Sequence, residues 1–236
     1  MRFPFIAVLS LSLALSAGCS PQPAPPSSGV GSAAAQEGAD VHTFHLIMEG
    51  DTVASEVVRR TSTGVELELM SRIAGMRSEL TMAVADDARV TGLTLRNFPL
   101  TSASTEPIFS LVLDIAGDTV RGEFTVPGRG TQSSALPTTP GAVAYLETSS
   151  AMVEQVLRRA RAMGGDATVP VLDLTTTRTE PAVVRWADPR SAVVTYNELE
   201  VHATVGDDGS LLEYSVPALD ARAVRTDGAH PLVSRP

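Results

Sequence analysis

From Val41 onward, apolar and polar residues alternate with a period of two. Phe44, Leu46 and Met48 fall on one side, with His45 and Glu49 on the other. Val65, Leu67 and Leu69 alternate with Glu66 and Glu68, and Met76, Ser78, Leu80, Met82 and Val84 with Arg77, Glu79 and Thr81. Val120, Gly122, Phe124 and Val126 alternate with Arg121, Glu123 and Thr125. One side of each stretch is apolar and the other charged, the signature of antiparallel strands with one wet face. Turn chemistry separates the stretches: Glu49-Gly50-Asp51, Ser62-Thr63-Gly64, Asp86-Asp87, Gly117-Asp118 and Asp207-Asp208-Gly209-Ser210. The strands recur about every ten to twelve residues, the rhythm of a meander, sandwich or barrel. Near Gly92 the alternation slips between Val90 and Leu93, which predicts a bulge.

The period changes between Pro140 and Met163. Leu146, Ser149, Ser150, Val153, Val156, Leu157 and Ala160 follow helical spacing. Glu154 lies early and Arg158, Arg159 and Arg161 late, as the helix dipole prefers, and Gly164-Gly165 is a stop signal. Thr139-Pro140 and Ser149-Ser150 are both acceptable starts. Strands resume at Val169 to Leu174, Val183 to Trp186, Ala192 to Tyr196, Leu199 to Val205 and Leu211 to Val216. The predicted fold is therefore mainly β. It is one large curved antiparallel sheet, as a half-barrel or as two facing sheets, with one helix inserted at about residues 140–163. The domain spans residues 41–225, and residues 226–236 read as a flexible tail.

Ahead of the domain, Arg2 precedes an apolar run from Ile6 to Ala17, and Ala17-Gly18 follow with small side chains. This is the three-part layout of a secretory signal. The run is shorter than the roughly 20 residues a membrane-spanning helix needs. The segment Leu15-Ser16-Ala17-Gly18-Cys19 resembles the lipobox of bacterial lipoproteins, with Ser16 where leucine is commonest. That resemblance implies removal of residues 1–18 and a lipid on Cys19, and Cys19 is the only cysteine of the chain. Two or three acyl chains anchor stably where one alone is marginal. Ser20 follows the cysteine in place of the aspartate that resembles an inner-membrane retention signal, so the resemblance implies an outer membrane if the organism has two. Residues 19–40 then form a tether of Pro, Ser, Gly and Ala with little to bury.

Composition narrows the function classes. The formal net charge is −9, and every strongly basic residue is an arginine. An acidic chain with scattered arginines offers no footprint for nucleic acid. Without lysine there is no Schiff base and no Walker-type phosphate loop, and no G-x-S-x-G occurs. His42 and His45 are three apart on a strand and so point to opposite faces, which speaks against a metal pair. Asp207-Asp208-Gly209-Ser210 lacks the spaced ligands of a calcium loop and reads as a turn. Glu56, Glu66 and Glu68 are the candidate paired carboxylates of a hydrolase, against which glutamates alternating on a strand read as a solvated face. An enzyme is accordingly the weakest class, and no cofactor is implied.

Methionines supply the remaining candidates. Met48, Met70, Met76 and Met82 lie in the first strands and Met152 in the helix. Methionine adapts to varied apolar ligands. These five are the candidate lining of a soft cavity between sheet and helix, with Gly122 leaving room. The order of strands, helix and strands behind a lipid anchor is similar in architecture to the curved-sheet carriers of lipoproteins. The run from Ala182 to Leu212 resembles β-rich exported proteins of unknown function. Two readings follow: a binder of an apolar or amphipathic ligand at the membrane, and an envelope scaffold that meets a protein partner through a sheet edge.

Overall fold

Hairpins laid side by side build one sheet. The computed structural model describes residues 40–100, 105–146 and 149–226. The signal segment, Cys19, the tether as far as residue 39 and the tail beyond residue 226 lie outside the described residues. Eight strands follow from the N-terminal side: β1 (Asp40–Met48), β2 (Asp51–Arg60), β3 (Gly64–Ser71), β4 (Met76–Val84), β5 (Val90–Pro99), β6 (Phe109–Ala116), β7 (Thr119–Val126) and β8 (Gly130–Pro137). A three-residue strand β9 (Val143–Tyr145) leads into helix α1 (Ser150–Ala162). Six more strands complete the chain: β10 (Ala167–Asp173), β11 (Arg178–Asp188), β12 (Ser191–Tyr196), β13 (Leu199–Val205), β14 (Leu211–Val216) and β15 (Ala221–Thr226). The strands therefore begin one residue before, and end one residue after, the boundaries expected at 41 and 225.

Among the described residues these form a single 15-stranded sheet in the order β8-β7-β6-β5-β4-β3-β2-β1-β15-β14-β13-β12-β11-β10-β9. Strand β1 pairs with both β2 and β15, so the first and last strands meet in the middle of the sheet. The edges are β8 and β9, neighbours in sequence that do not pair, and the sheet stays unclosed there. All pairings are antiparallel except β9 with β10. That parallel pair needs a crossover, and α1 supplies it.

Local chemistry explains the joints. Glu49 and Gly50 both have positive φ and close β1 to β2 as a two-residue hairpin. Asn197 and Glu198, also at positive φ, do the same between β12 and β13. In the β4–β5 ladder Ala83 faces Gly92 and Val84 faces Val90, so Thr91 is unmatched. That is the bulge that the broken alternation predicts. The helix is shorter than residues 140–163. Residues 143–145 are the buried strand β9, and Ser149 is the N-cap, accepting from the Met152 N–H. The helix stops where Gly164 and Gly165 take φ near +106° and +109°, and Gly165 N donates back to Ala160 O at 3.0 Å.

The inner faces of the strands and α1, buried on all sides over its first two turns, make the core. Phe44, Val58, Leu67, Leu80, Met82, Leu93, Val184 and Ala223 come from the sheet, and Met152, Val153, Val156, Leu157 and Ala160 from the helix. The helix packs against β9, β10, β11 and β14. Leu113, Ile115 and Val120 of β6 and β7 join this core, while Phe109, Leu111 and Phe124 at the other end of those strands are half-buried.

Candidate functional site

The methionines do not gather into a site. Met82 and Met152 are fully buried in the core. Met48 and Met76 are half-buried on inner faces, the latter beside Asn97, whose Nδ2 lies 3.9 Å from its sulfur. Met70 shares the outer face of β3 with Glu66 and Glu68, because it follows their parity and not that of Leu67 and Leu69. The space between helix and sheet is a cavity of about 10 Å³ lined by Tyr145, Val153, Val156, Val171, Ala182, Val194, Tyr196 and Val201. That is room for one water at most, and none of the five methionines lines it. Gly122 leaves no extra room either, since a Cβ there would meet Leu113 Cδ2 at 3.1 Å.

What lies under the helix is polar. Glu56 is on the inner face of β2, 2 % exposed, between Phe44 and Leu69 on the flanking strands. This corrects its reading as part of a solvated face. Ser149 Oγ donates to Glu56 Oε1 and Ser150 N to Glu56 Oε2, both at 2.6 Å. The helix has no acidic residue in its first turn, Glu154 lying one turn further in, and the Glu56 carboxyl from the sheet takes that place at its N-terminus. Burial pushes the Glu56 carboxyl above its ordinary value of 4.5, and the bonds from Ser149 and Ser150 oppose that shift only in part. One turn on, Glu154 is 1 % exposed and binds Arg60 Nε at 3.0 Å and Arg158 Nε at 2.7 Å. Its other oxygen accepts from Leu211 N at 3.2 Å. Arg60 also donates to Gln155 Oε1, and Gln155 donates to Ala88 O. The Ser149–Glu56 contact has the geometry of a hydroxyl beside a base, yet both groups are sealed from solvent. This seam fastens the helix to the sheet and admits no substrate.

The exposed carboxylates and histidines stand apart from it. Glu66 and Glu68 face solvent near Arg59 and Arg77. His42 is on the inner face of β1 and meets Asp40 at 2.7 Å, while His45 is on the opposite face. Among the described residues no group of three His, Cys, Asp or Glu can hold a metal ion. Asp208 Oδ1 accepts from Ser210 N at 2.9 Å and from Ser210 Oγ at 2.7 Å, the bonds of a tight turn.

A surface cleft of about 440 Å³ lies between the helix end and the β11–β12 and β13–β14 turns. Arg161 stacks 4.3 Å from the centre of the Trp186 ring and donates to Pro189 O at 2.6 Å. Arg190 is held by Asp207, with Nε to Oδ1 at 2.8 Å. The two arginines are thus engaged within the protein and offset by Asp188 and Asp207, leaving no net charge to attract an ion.

The two edges of the sheet differ sharply. Strand β9 is three residues long and wholly buried, a protected edge. Strand β8, Gly-Thr-Gln-Ser-Ser-Ala-Leu-Pro, is exposed along nearly its whole length and carries no charge. Its only proline is the last residue, and its pairing with β7 runs from Pro137 to Gly130 without a shift. Charges, interior prolines and bulges are the usual guards of an edge, and β8 has none. Beside it on the inner face are the half-buried Phe109, Leu111, Phe124 and Val126, with the two phenyl rings 5.4 Å apart. Periodicity passed over β8 because neither face is buried and nothing alternates. Its one local signal is the Gly128 and Gly130 pair that turns the chain back from β7.

The chain is an open antiparallel sheet with one inserted helix. No family model matches it, and no curated protein matches it. Among solved structures, a DUF1089 family protein from Pseudomonas aeruginosa is similar over 72 % of this chain and 91 % of its own, with 16 % identity and a TM-score of 0.49. A β-barrel-like protein of the domain of unknown function DUF1849 from Brucella abortus is similar over 79 % of this chain and 94 % of its own, with 9 % identity and a TM-score of 0.48. These are likenesses of backbone course, and no residue role passes from them.

Proposed function

We propose that this is an exported lipoprotein of the cell envelope, held to a membrane by acyl chains on Cys19, whose sheet accepts a partner's strand along β8. The observation that carries the interaction reading is the eight-residue edge, exposed, uncharged and unbulged, beside a half-buried apolar row. An unpaired edge offers a row of N–H and C=O groups, and strand addition satisfies them. The lipobox-like segment before Cys19 and the Pro/Ser/Gly stretch after it support anchoring with the domain held off the bilayer. No helix among the described residues is long and apolar enough to cross a membrane.

A cavity of about 10 Å³ under the helix leaves no place for an acyl chain there. The apolar-ligand reading therefore moves to the open inner face at Phe109, Leu111 and Phe124, where it stands second. Catalysis stands last, since the buried Ser149–Glu56 pair has no access.

A photo-crosslinking residue placed in turn at Thr131, Ser133 and Glu66 tests the edge in intact cells. Thr131 and Ser133 are expected to give the same discrete protein adduct, and Glu66, on the outer face of β3, none. Equal, diffuse adducts from all three positions would remove the edge as an acceptor.

A further inference from the structure

The chemistry of β8 and its flanks selects an occupant. Each strand of an antiparallel pair meets the other end of its neighbour, so unlike ends must match. At one end of the β7–β8 hairpin is the exposed Arg129, in the turn just before β8. At the other is the exposed Asp118, whose carbonyl oxygen accepts from Thr138 N at 2.8 Å just past the end of β8. A second copy of β8 laid antiparallel brings Arg129 of each copy to the end that carries Asp118 of the other, twice over. A parallel copy would bring like charges together. The strand itself bears no charge that would oppose its own image.

Geometry then sets the register. For the sheet to continue with its inner faces on one side, the two-fold axis must stand perpendicular to the sheet and pass through a residue, because opposed residues share a face. An axis through Ser133 pairs Ser133 with itself, Gln132 with Ser134, Thr131 with Ala135 and Gly130 with Leu136. Pro137, which has no N–H to give, falls just outside the overlap. All the opposed side chains of the outer row are small, and the inner row opposes the Gln132 amide to the Ser134 hydroxyl and leaves Leu136 facing Gly130.

Resting on β8 as a strand acceptor, we propose that the strand it accepts is β8 of a second copy of this chain, paired antiparallel about Ser133. Two open sheets then become one continuous sheet with a shared concave face, and the unguarded edge disappears. Copies anchored in one bilayer meet at raised effective concentration, which favours the pairing.

Sedimentation equilibrium of the full chain, extracted from membranes in mild detergent, tests this. The wild type is expected to run as two copies. Ser133→Glu and Ser133→Arg, which each set like charges on the axis, are expected to run as one copy. An equal mixture of the two is expected to run as two again. Ser133 is exposed, so both variants are expected to melt within a few degrees of the wild type. Ser133→Cys gives an independent reading, an interchain disulfide under mild oxidation that Glu66→Cys does not form. A wild type that runs as one copy, variants that stay paired, or a mixture that fails to pair overturns the self-pairing. A single-copy wild type whose Ser133 crosslinks a different protein in cells overturns self-pairing alone. Absence of any discrete Ser133 adduct removes the strand-acceptor reading as well.

Discussion

Replacing Glu154 with alanine is expected to cost about 3–5 kcal/mol of folding stability, the range for stranding a charge whose partner was buried. Glu154 is 1 % exposed and holds Arg60, itself only 13 % exposed, together with Arg158 and the Leu211 N–H. Without it the Arg60 guanidinium stays under the helix with Gln155 as its remaining side-chain partner. Burial already pushes the Arg60 group below its ordinary value, and the Glu154 charge is the chief opposing influence. The double variant Arg60→Met with Glu154→Leu removes both charges and keeps the volume. It is expected to recover the part of the loss that comes from the stranded Arg60 charge, because a buried ion pair and a packed apolar pair are often close in energy, while the Leu211 N–H and Arg158 stay without their acceptor. Urea unfolding of the two single variants and the double variant measures the coupling. Single-variant losses below about 1 kcal/mol, the range of an exposed pair, would mean that the seam is wetter than its burial indicates.

Glu56→Gln is expected to change how stability depends on pH. Burial raises the Glu56 carboxyl above 4.5 in the folded protein, so the native state keeps a proton that the unfolded chain releases. The contribution is fully present below 4.5 and is lost as pH rises through the folded value. Within that window the wild type loses stability at about 1.4 kcal/mol per pH unit from this one group. Glutamine stays neutral throughout and mimics the protonated acid towards Ser149 and Ser150. Its unfolding free energy relative to wild type is therefore expected to climb with pH above 4.5 and to level off once Glu56 ionises in the fold. The difference isolates Glu56 from carboxylates shifted the other way, such as Asp208, whose turn bonds to Ser210 hold it below its ordinary value. Stability curves that run parallel from pH 4 to pH 8 would show that Glu56 is not desolvated.

These two carboxylates also mark the limit of what local pattern reveals. Alternation located strands such as β1, β3, β4 and β7, whose one face is buried, but did not single out β2, β6 or β15, and the Ser149-Ser150 and Gly164-Gly165 signals bracketed the helix. Strand β9 escaped because three residues buried on both sides, followed by a turn, carry the same apolar density as the first turn of a helix. Strand β8 escaped for the opposite reason, since it is wet on both faces. Glu56 shares its inner face with Ala54 and Val58, and its parity alone allowed burial. Its partners sit more than ninety residues away at the helix N-terminus, however, and no local window holds both. Methionine count likewise carried no direction: Met70 and Met82 differ only in parity, and that sends one outward and the other into the core. The free edge is a property of the complete strand order, which emerges only when β1 is seen to pair with β15.

Intact-mass spectrometry of the protein extracted from membranes, beside a Cys19→Ala variant, tests most directly that the domain is displayed from a bilayer. The expected result is a mature chain beginning at Cys19 with the added mass of two or three acyl chains, and a variant that keeps its signal segment and gains no acyl mass. A soluble wild-type chain cut elsewhere, with an unmodified Cys19 thiol, would contradict it.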